Sequence, residues 1–112
     1  MPAIVQQLDD KPVILLEFAD DVSAHEVADA YMKSASLMHG RVGKVYHIVD
    51  VSQAGTSYQG VATVLGQILG GPGALSKLGF AFVGDNSMED YFSQQRIPFC
   101  DNLNDAIARV AS

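Results

Sequence analysis

Three short runs constrain this chain more than any other feature: VILLEF at 13–18, KVYHIVDV at 44–51 and LGFAFVG at 78–84. Each is β-prone; VILLEF is apolar at almost every position, as in a strand covered on both faces, and KVYHIVDV reads as a central strand. The stretches between them carry apolar residues at helical spacing instead. Strands alternating with helices predict an α/β architecture whose parallel strands are joined by right-handed crossovers. A further β-prone run, AIVQQL at 3–8, precedes VILLEF across DDKP. Asp9, Asp10 and Pro12 are turn residues, so the two runs read as an antiparallel hairpin.

The helical segments have recognisable ends. Ser23 followed by Glu26 is a capping-box pair, and Val27, Ala28, Tyr31, Ala35 and Met38 then recur at helical spacing. His39 and Gly40 close that helix. A second helix is predicted over 57–69, with Val61, Val64, Leu65, Ile68 and Leu69 inward, and GGPG at 70–73 ends it. Asn86, with Glu89 three residues on, opens a third through about Gln95. IPFC at 97–100 is a short strand that Pro98 sends to the sheet edge. Asn102 starts a last helix carrying Leu103, Ala106, Ile107 and Val110. The expected order is ββαβαβαβα: a mixed sheet of about five strands with about four helices, residues 1–112 forming one domain. Leu16, Ile48, Phe82, Leu65 and Ile107 are expected to share one core.

Composition removes several classes of function. The net charge is −6 and the seven basic residues are scattered, whereas nucleic acid needs a concentrated positive footprint. Anionic membrane surfaces are disfavoured for the same reason. The longest apolar runs are too short for a membrane span, and MPAIVQQLDD lacks the basic start and apolar stretch of a signal peptide. Cys100 is the only cysteine, so no internal disulfide forms and a reducing compartment fits. A cytoplasmic location is expected.

Between Asp50 and Lys77 lie 26 residues without one charge, in a chain that is 18% charged. The outer positions of the helix inside that stretch are expected to be Gln59, Thr63, Gly66, Gln67 and Gly70, with Tyr58 near its start. A solvated helix face ordinarily carries Lys, Glu or Arg, and charge depletion marks interface cores. Coverage by the chain's own loops, or compositional chance, would leave the same pattern. Read as an interface, the surface is best served by a symmetric homodimer, which uses one patch twice. Another protein or a small apolar ligand stays open as partner.

YHIVDVSQAGTS followed by an uncharged apolar helix resembles the STAS/SpoIIAA-like superfamily, the fold of bacterial anti-sigma factor antagonists. The likeness in element order covers nearly the whole chain. In that family a hydrophobic strand ends in an aspartate-leucine-serine type triplet, which Asp50, Val51 and Ser52 match. An aspartate-serine-serine-glycine motif then opens the next helix, and its serine is phosphorylated by a partner kinase that is also the anti-sigma factor. Here GTSYQG stands in that place: Thr56 and Ser57 supply hydroxyls, no aspartate precedes them, and Tyr58 replaces a small residue. The resemblance implies Ser57, then Thr56 or Ser52, as phosphorylation candidates. GFAFVG and IPFCDNLNDAIARV look closer to uncharacterised bacterial members that keep the fold and lose the switch motif. Without reference to the family, Thr56 or Ser57 reads as a helix N-cap.

No catalytic motif emerges from the remaining residues. Asp20, Asp21, Asp50, Asp85 and Asp101 follow predicted strands, at the edge where α/β folds bind ligands. They also suit turns and helix starts, where negative charge is favoured. His25, His39 and His47 lack metal-ligand spacing, and Cys100 in its apolar run reads as a small buried hydrophobe. Neither a metal nor a cofactor is expected. The reading is a non-catalytic regulatory or protein-interaction module acting through the uncharged helix. Its alternatives are a small-molecule or lipid binder, or minor enzyme, at the aspartate edge, and a phosphorylation-switched anti-sigma factor antagonist.

Overall fold

The computed structural model describes residues 3–8, 12–19, 22–38 and 45–111. Five strands form one sheet in the order β1-β2-β3-β4-β5: Ala3–Gln7, Val13–Ala19, Tyr46–Gln53, Phe80–Val83 and Phe99–Cys100. β1 pairs antiparallel with β2, and every later pairing is parallel. The expected hairpin and mixed sheet are both present. Five helices accompany it: α1 Ala24–Met38, α2 Tyr58–Leu69, α3 Pro72–Lys77, α4 Glu89–Gln94 and α5 Leu103–Ala111. The sequence suggested about four. The addition is α3, because GGPG does more than end α2. Gly70 (φ +105°) takes the left-handed cap, Gly71 (φ +127°) completes the turn, and Pro72 sits at the first position of a new helix. Proline is favoured there, since its missing N–H would have no helical partner anyway.

Strand periodicity of two divides the apolar residues between two faces. Ile14, Leu16, Phe18, Val49, Val51, Phe80 and Phe82 face α1, α2, α3 and α4. Val13, Leu15, Ile48 and Val83 face α5, through Ala106 and the half-buried Leu103 and Ile107. The expectation of one shared core is thereby corrected. Leu16, Phe82 and Leu65 lie on the first side, and Ile48 and Ile107 on the second. Double coverage explains why β2 and β4 are apolar at consecutive positions.

The helix starts follow local chemistry. Ser23 and Glu26 form the reciprocal capping box: the Ser23 N–H donates to Glu26 Oε1 at 3.0 Å, and the Glu26 N–H to Ser23 Oγ at 3.2 Å. Hydrogen bonding to the carboxylate from the Ser23 backbone N–H, and then from the Ser23 side chain, holds the Glu26 carboxyl below its usual value. Asn102 opens α5 as expected, accepting from the Asp105 N–H at 2.8 Å. Before α4 the cap is Asp85 rather than Asn86. Its carboxylate accepts from the Ser87 N–H at 2.9 Å, and Asn86–Met88 forms a 3₁₀ turn. The expected stop at His39 and Gly40, the turn at Asp9 and Asp10, and the aspartates Asp20 and Asp21 lie outside the described residues.

α4 ends in a Schellman closure. Ile97 N–H donates to the Phe92 carbonyl at 2.9 Å and Arg96 N–H to the Ser93 carbonyl at 3.1 Å, while Ile97 and Phe92 share the core. The left-handed residue is Arg96, at φ +57°, where glycine is usual. An L side chain costs about 1–2 kcal/mol in that conformation. Arg96→Gly is therefore expected to raise stability by about 1 kcal/mol, net of glycine's greater unfolded-state freedom. Urea unfolding measures it, and an unchanged or lower midpoint would contradict the assignment of strain to Arg96.

Candidate functional site

The uncharged stretch begins at the carboxyl end of β3, where the Asp-Val-Ser triplet folds back on itself. Asp50 Oδ1 accepts from the Ser52 N–H at 2.9 Å and from Ser52 Oγ at 2.6 Å. Gly55–Ser57 then forms a 3₁₀ turn that runs into α2. Ser57 precedes α2 without capping it through its side chain. Its hydroxyl donates instead to the Ala54 carbonyl at 2.6 Å and accepts from the Val22 N–H at 3.4 Å, 35 residues away. The N-cap role expected from sequence is thus replaced by a tie between the start of α2 and the chain entering α1. No local signal encodes it, because the partner is tertiary. Among the three hydroxyls considered for phosphorylation, Ser52 and Ser57 are half-buried and bonded, and Thr56 is exposed.

Along α2, Val61, Ala62, Leu65 and Gly66 are buried. Gln59, Thr63, Gln67 and Gly70 are exposed and Tyr58 is half-buried. Gly66 thus departs from the expected outward set. The buried arc spans positions i, i+1, i+4 and i+5, which includes residue 66, and the Gly66 carbonyl accepts from the N–H groups of both Gly70 and Gly71. A glycine has no side chain with which to announce its side of a helix. Ile68 errs in the opposite sense: expected inside, it is 43% exposed. The exposed surface of α2 is therefore Gln59, Gly60, Thr63, Gln67 and Ile68, with Gly70 exposed at its cap.

Tyr58 joins an aromatic group under this surface. Its ring meets Tyr91 edge-on at 5.7 Å and lies 5.9 Å from Phe92, which ties the start of α2 to α4.

The described strand-end aspartates, Asp50, Asp85 and Asp101, each act locally. Asp50 binds Ser52, Asp85 caps the 3₁₀ turn through the Ser87 N–H and hydroxyl, and Asp101 accepts from the Asn102 amide at 3.0 Å. Among the described residues no His, Cys, Asp and Glu side chains gather in threes as a metal would require. A shallow depression of about 290 Å³ does lie at the ends of β4 and β5, where Glu89, Asp101, Asp105 and the half-exposed Cys100 meet Asn86 and Phe99. His25 pairs with Asp29 one turn on, at 3.2 Å. His47 is buried, stacked on Phe80 with ring centroids 4.4 Å apart, and neither ring nitrogen has a hydrogen-bond partner. Burial pushes its pKa down to about 4. No described helix is long and apolar enough to cross a membrane.

No family profile matches the chain, and no curated protein does. Among solved structures it is similar to RsbS of Moorella thermoacetica, in a serine-to-glutamate variant. The two are 15% identical, the alignment covers 98% of this chain and 95% of that one, and the TM-score is 0.55. At this identity the likeness concerns the fold.

Proposed function

We propose that this chain, whose fold is STAS/SpoIIAA-like, is a non-catalytic regulatory module that works by protein contact through the outer face of α2. Its first partner is a second copy of itself. The observation that carries this reading is the row Gln59, Thr63, Gln67 and Gly70, exposed yet uncharged. Interface cores are depleted of charge in this way. In a chain of net charge −6, an uncharged patch is also where two copies meet with least repulsion. Exposed Ile68 adds apolar area beside the row. Two-fold association uses such a patch twice.

Thr63→Lys and Gln67→Glu test the proposal. Both side chains are exposed, so on a solvated face either change would alter stability by no more than about 0.5 kcal/mol. At a close interface an unpaired charge is costly to desolvate. Both variants are expected to sediment closer to monomer than the wild type, with unchanged circular dichroism. A wild type that is monomeric at high concentration, or variants as dimeric as the wild type, would overturn the homodimer.

The exposure of Thr56 favours a second reading, in which a phosphate at the start of α2 controls the contact. The phosphate is then expected on Thr56 rather than on Ser57 or Ser52, whose hydroxyls already bond Ala54 and Asp50. Intact-mass analysis of protein from its own host tests this. Only unmodified protein across several growth conditions would count against it.

A further inference from the structure

A cleft of about 360 Å³ opens between α2 and α4. Its floor is apolar, formed by the buried Ala62 and Ile97. Thr63 and Gln67 stand on the α2 side, Tyr91 and Gln95 on the α4 side, and Gly71 of the α2–α3 turn closes one end. Small-molecule sites span about 300–1,000 Å³, so this cleft fits a compact ligand. An apolar floor with a few convergent polar groups is the composition such sites share.

The lining selects by charge. It holds no Asp, Glu, Lys, Arg or His side chain. An anion would find no cation in the lining to pair it. A cation would find no carboxylate there. A neutral ligand meets neither cost.

Hydrogen-bond chemistry narrows the class further. Gln67 and Gln95 stand on opposite sides, and each carboxamide offers a donor next to an acceptor. Thr63 Oγ1 already donates to the Gln59 carbonyl at 2.9 Å, so towards a ligand it acts as acceptor. The Tyr91 ring is held edge-on by Tyr58 at 5.7 Å and Phe92 at 5.3 Å, which fixes a flat apolar wall. We propose that the α2–α4 cleft binds an uncharged, planar small molecule carrying an amide-type edge, its donor and acceptor matched by Gln67 and Gln95. The inference rests on the cleft and goes beyond the contact proposed for α2. Because Thr63 and Gln67 belong to both, an occupied cleft alters the surface that a partner meets.

Three probes sharing one ring and differing in charge test this: benzamide, benzoate and benzylammonium, titrated into ¹⁵N-labelled protein. Benzamide is expected to shift the backbone amides of Thr63, Gln67, Tyr91, Gln95 and Ile97 and the side-chain amides of the two glutamines. Benzoate and benzylammonium are expected to bind at least about tenfold more weakly. Gln95→Ala, which leaves the α2 row intact, is expected to weaken benzamide about tenfold while sedimenting like the wild type. Failure of the dimer therefore reads out separately from failure of the cleft. The proposal is overturned if benzamide gives no cleft-confined shifts up to about 10 mM, where even millimolar affinity registers. It is equally overturned if benzoate binds as tightly, or if Gln95→Ala leaves the affinity unchanged.

Discussion

Replacing Phe92 with alanine is expected to destabilise the fold by about 3–5 kcal/mol and to collapse the α2–α4 cleft with it. Phe92 is fully buried and contacts rings from four directions. Phe82 of β4 lies at 4.9 Å, Phe99 of β5 stacks at 5.0 Å, Tyr91 meets it edge-on at 5.3 Å, and Tyr58 of α2 lies at 5.9 Å. Its backbone carbonyl also accepts the Ile97 N–H that closes α4. Isolated helices shorter than about 12 residues are marginal in water. α4 has six residues and Phe92 is the one it buries fully, so its position depends chiefly on this side chain. Truncation removes the buried ring, leaves a cavity and releases the wall that Tyr91 forms. Phe92→Leu keeps most of the volume and is expected to cost less than about 2 kcal/mol. Urea unfolding of the two variants makes the comparison. A loss below about 1 kcal/mol for Phe92→Ala would mean that α4 is held by other contacts.

Some of this architecture was legible because local chemistry dictates it. The strands at VILLEF, YHIVDV and FAFV, the Ser23–Glu26 box and the Asn102 start of α5 stand where their residues indicate. Other features had no local signature. β2 and β3 are covered on both faces, so runs of consecutive apolar residues hide the period of two that sends Ile48 away from Leu16. α3 is one and a half turns long, too short for a hydrophobic stripe, and only Pro72 hinted at it. Gly66 has no side chain to reveal that it faces inward. The bond from Val22 to Ser57 and the meeting of α2 with α4 join distant segments, and only the folded chain brings them together. His47 did carry a signal: an ionisable residue within VYHIV, in a strand read as central, must be buried with or without a partner. The likeness to RsbS adds the fold to this account. Function still has to be argued from residues such as Thr63 and Gln67, because one fold carries many functions.

Acid is expected to weaken this protein by about 3 kcal/mol as pH falls from neutrality to about 4, chiefly through His47. Its ring is 3% exposed and lies between Tyr31 of α1 at 6.3 Å and Phe80 of β4 at 4.4 Å. Among the described residues neither nitrogen has a hydrogen-bond partner, so burial disfavours the imidazolium. The folded-state pKa is therefore pushed down to about 4 from 6.5. Between those values the unfolded chain holds a proton at this position and the folded chain does not. Stability is thus independent of His47 above about pH 7, declines once pH passes below 6.5, and stops declining on its account below about 4. Glu26 acts with the same sign in a lower window, losing its contribution as pH falls below 4.5. Of these two groups only His47 acts in the interval from 6.5 down to 4.5. His47→Phe keeps an aromatic ring against Phe80 and removes two unpaired polar atoms. It is expected to raise stability at pH 7 by about 1–2 kcal/mol and to flatten the profile across that interval. Urea midpoints at half-unit pH steps give the comparison, with His25→Gln as the exposed control. If His47→Phe declines as steeply as the wild type between pH 6.5 and 4.5, the acid sensitivity lies in another group and the buried imidazole is not its source.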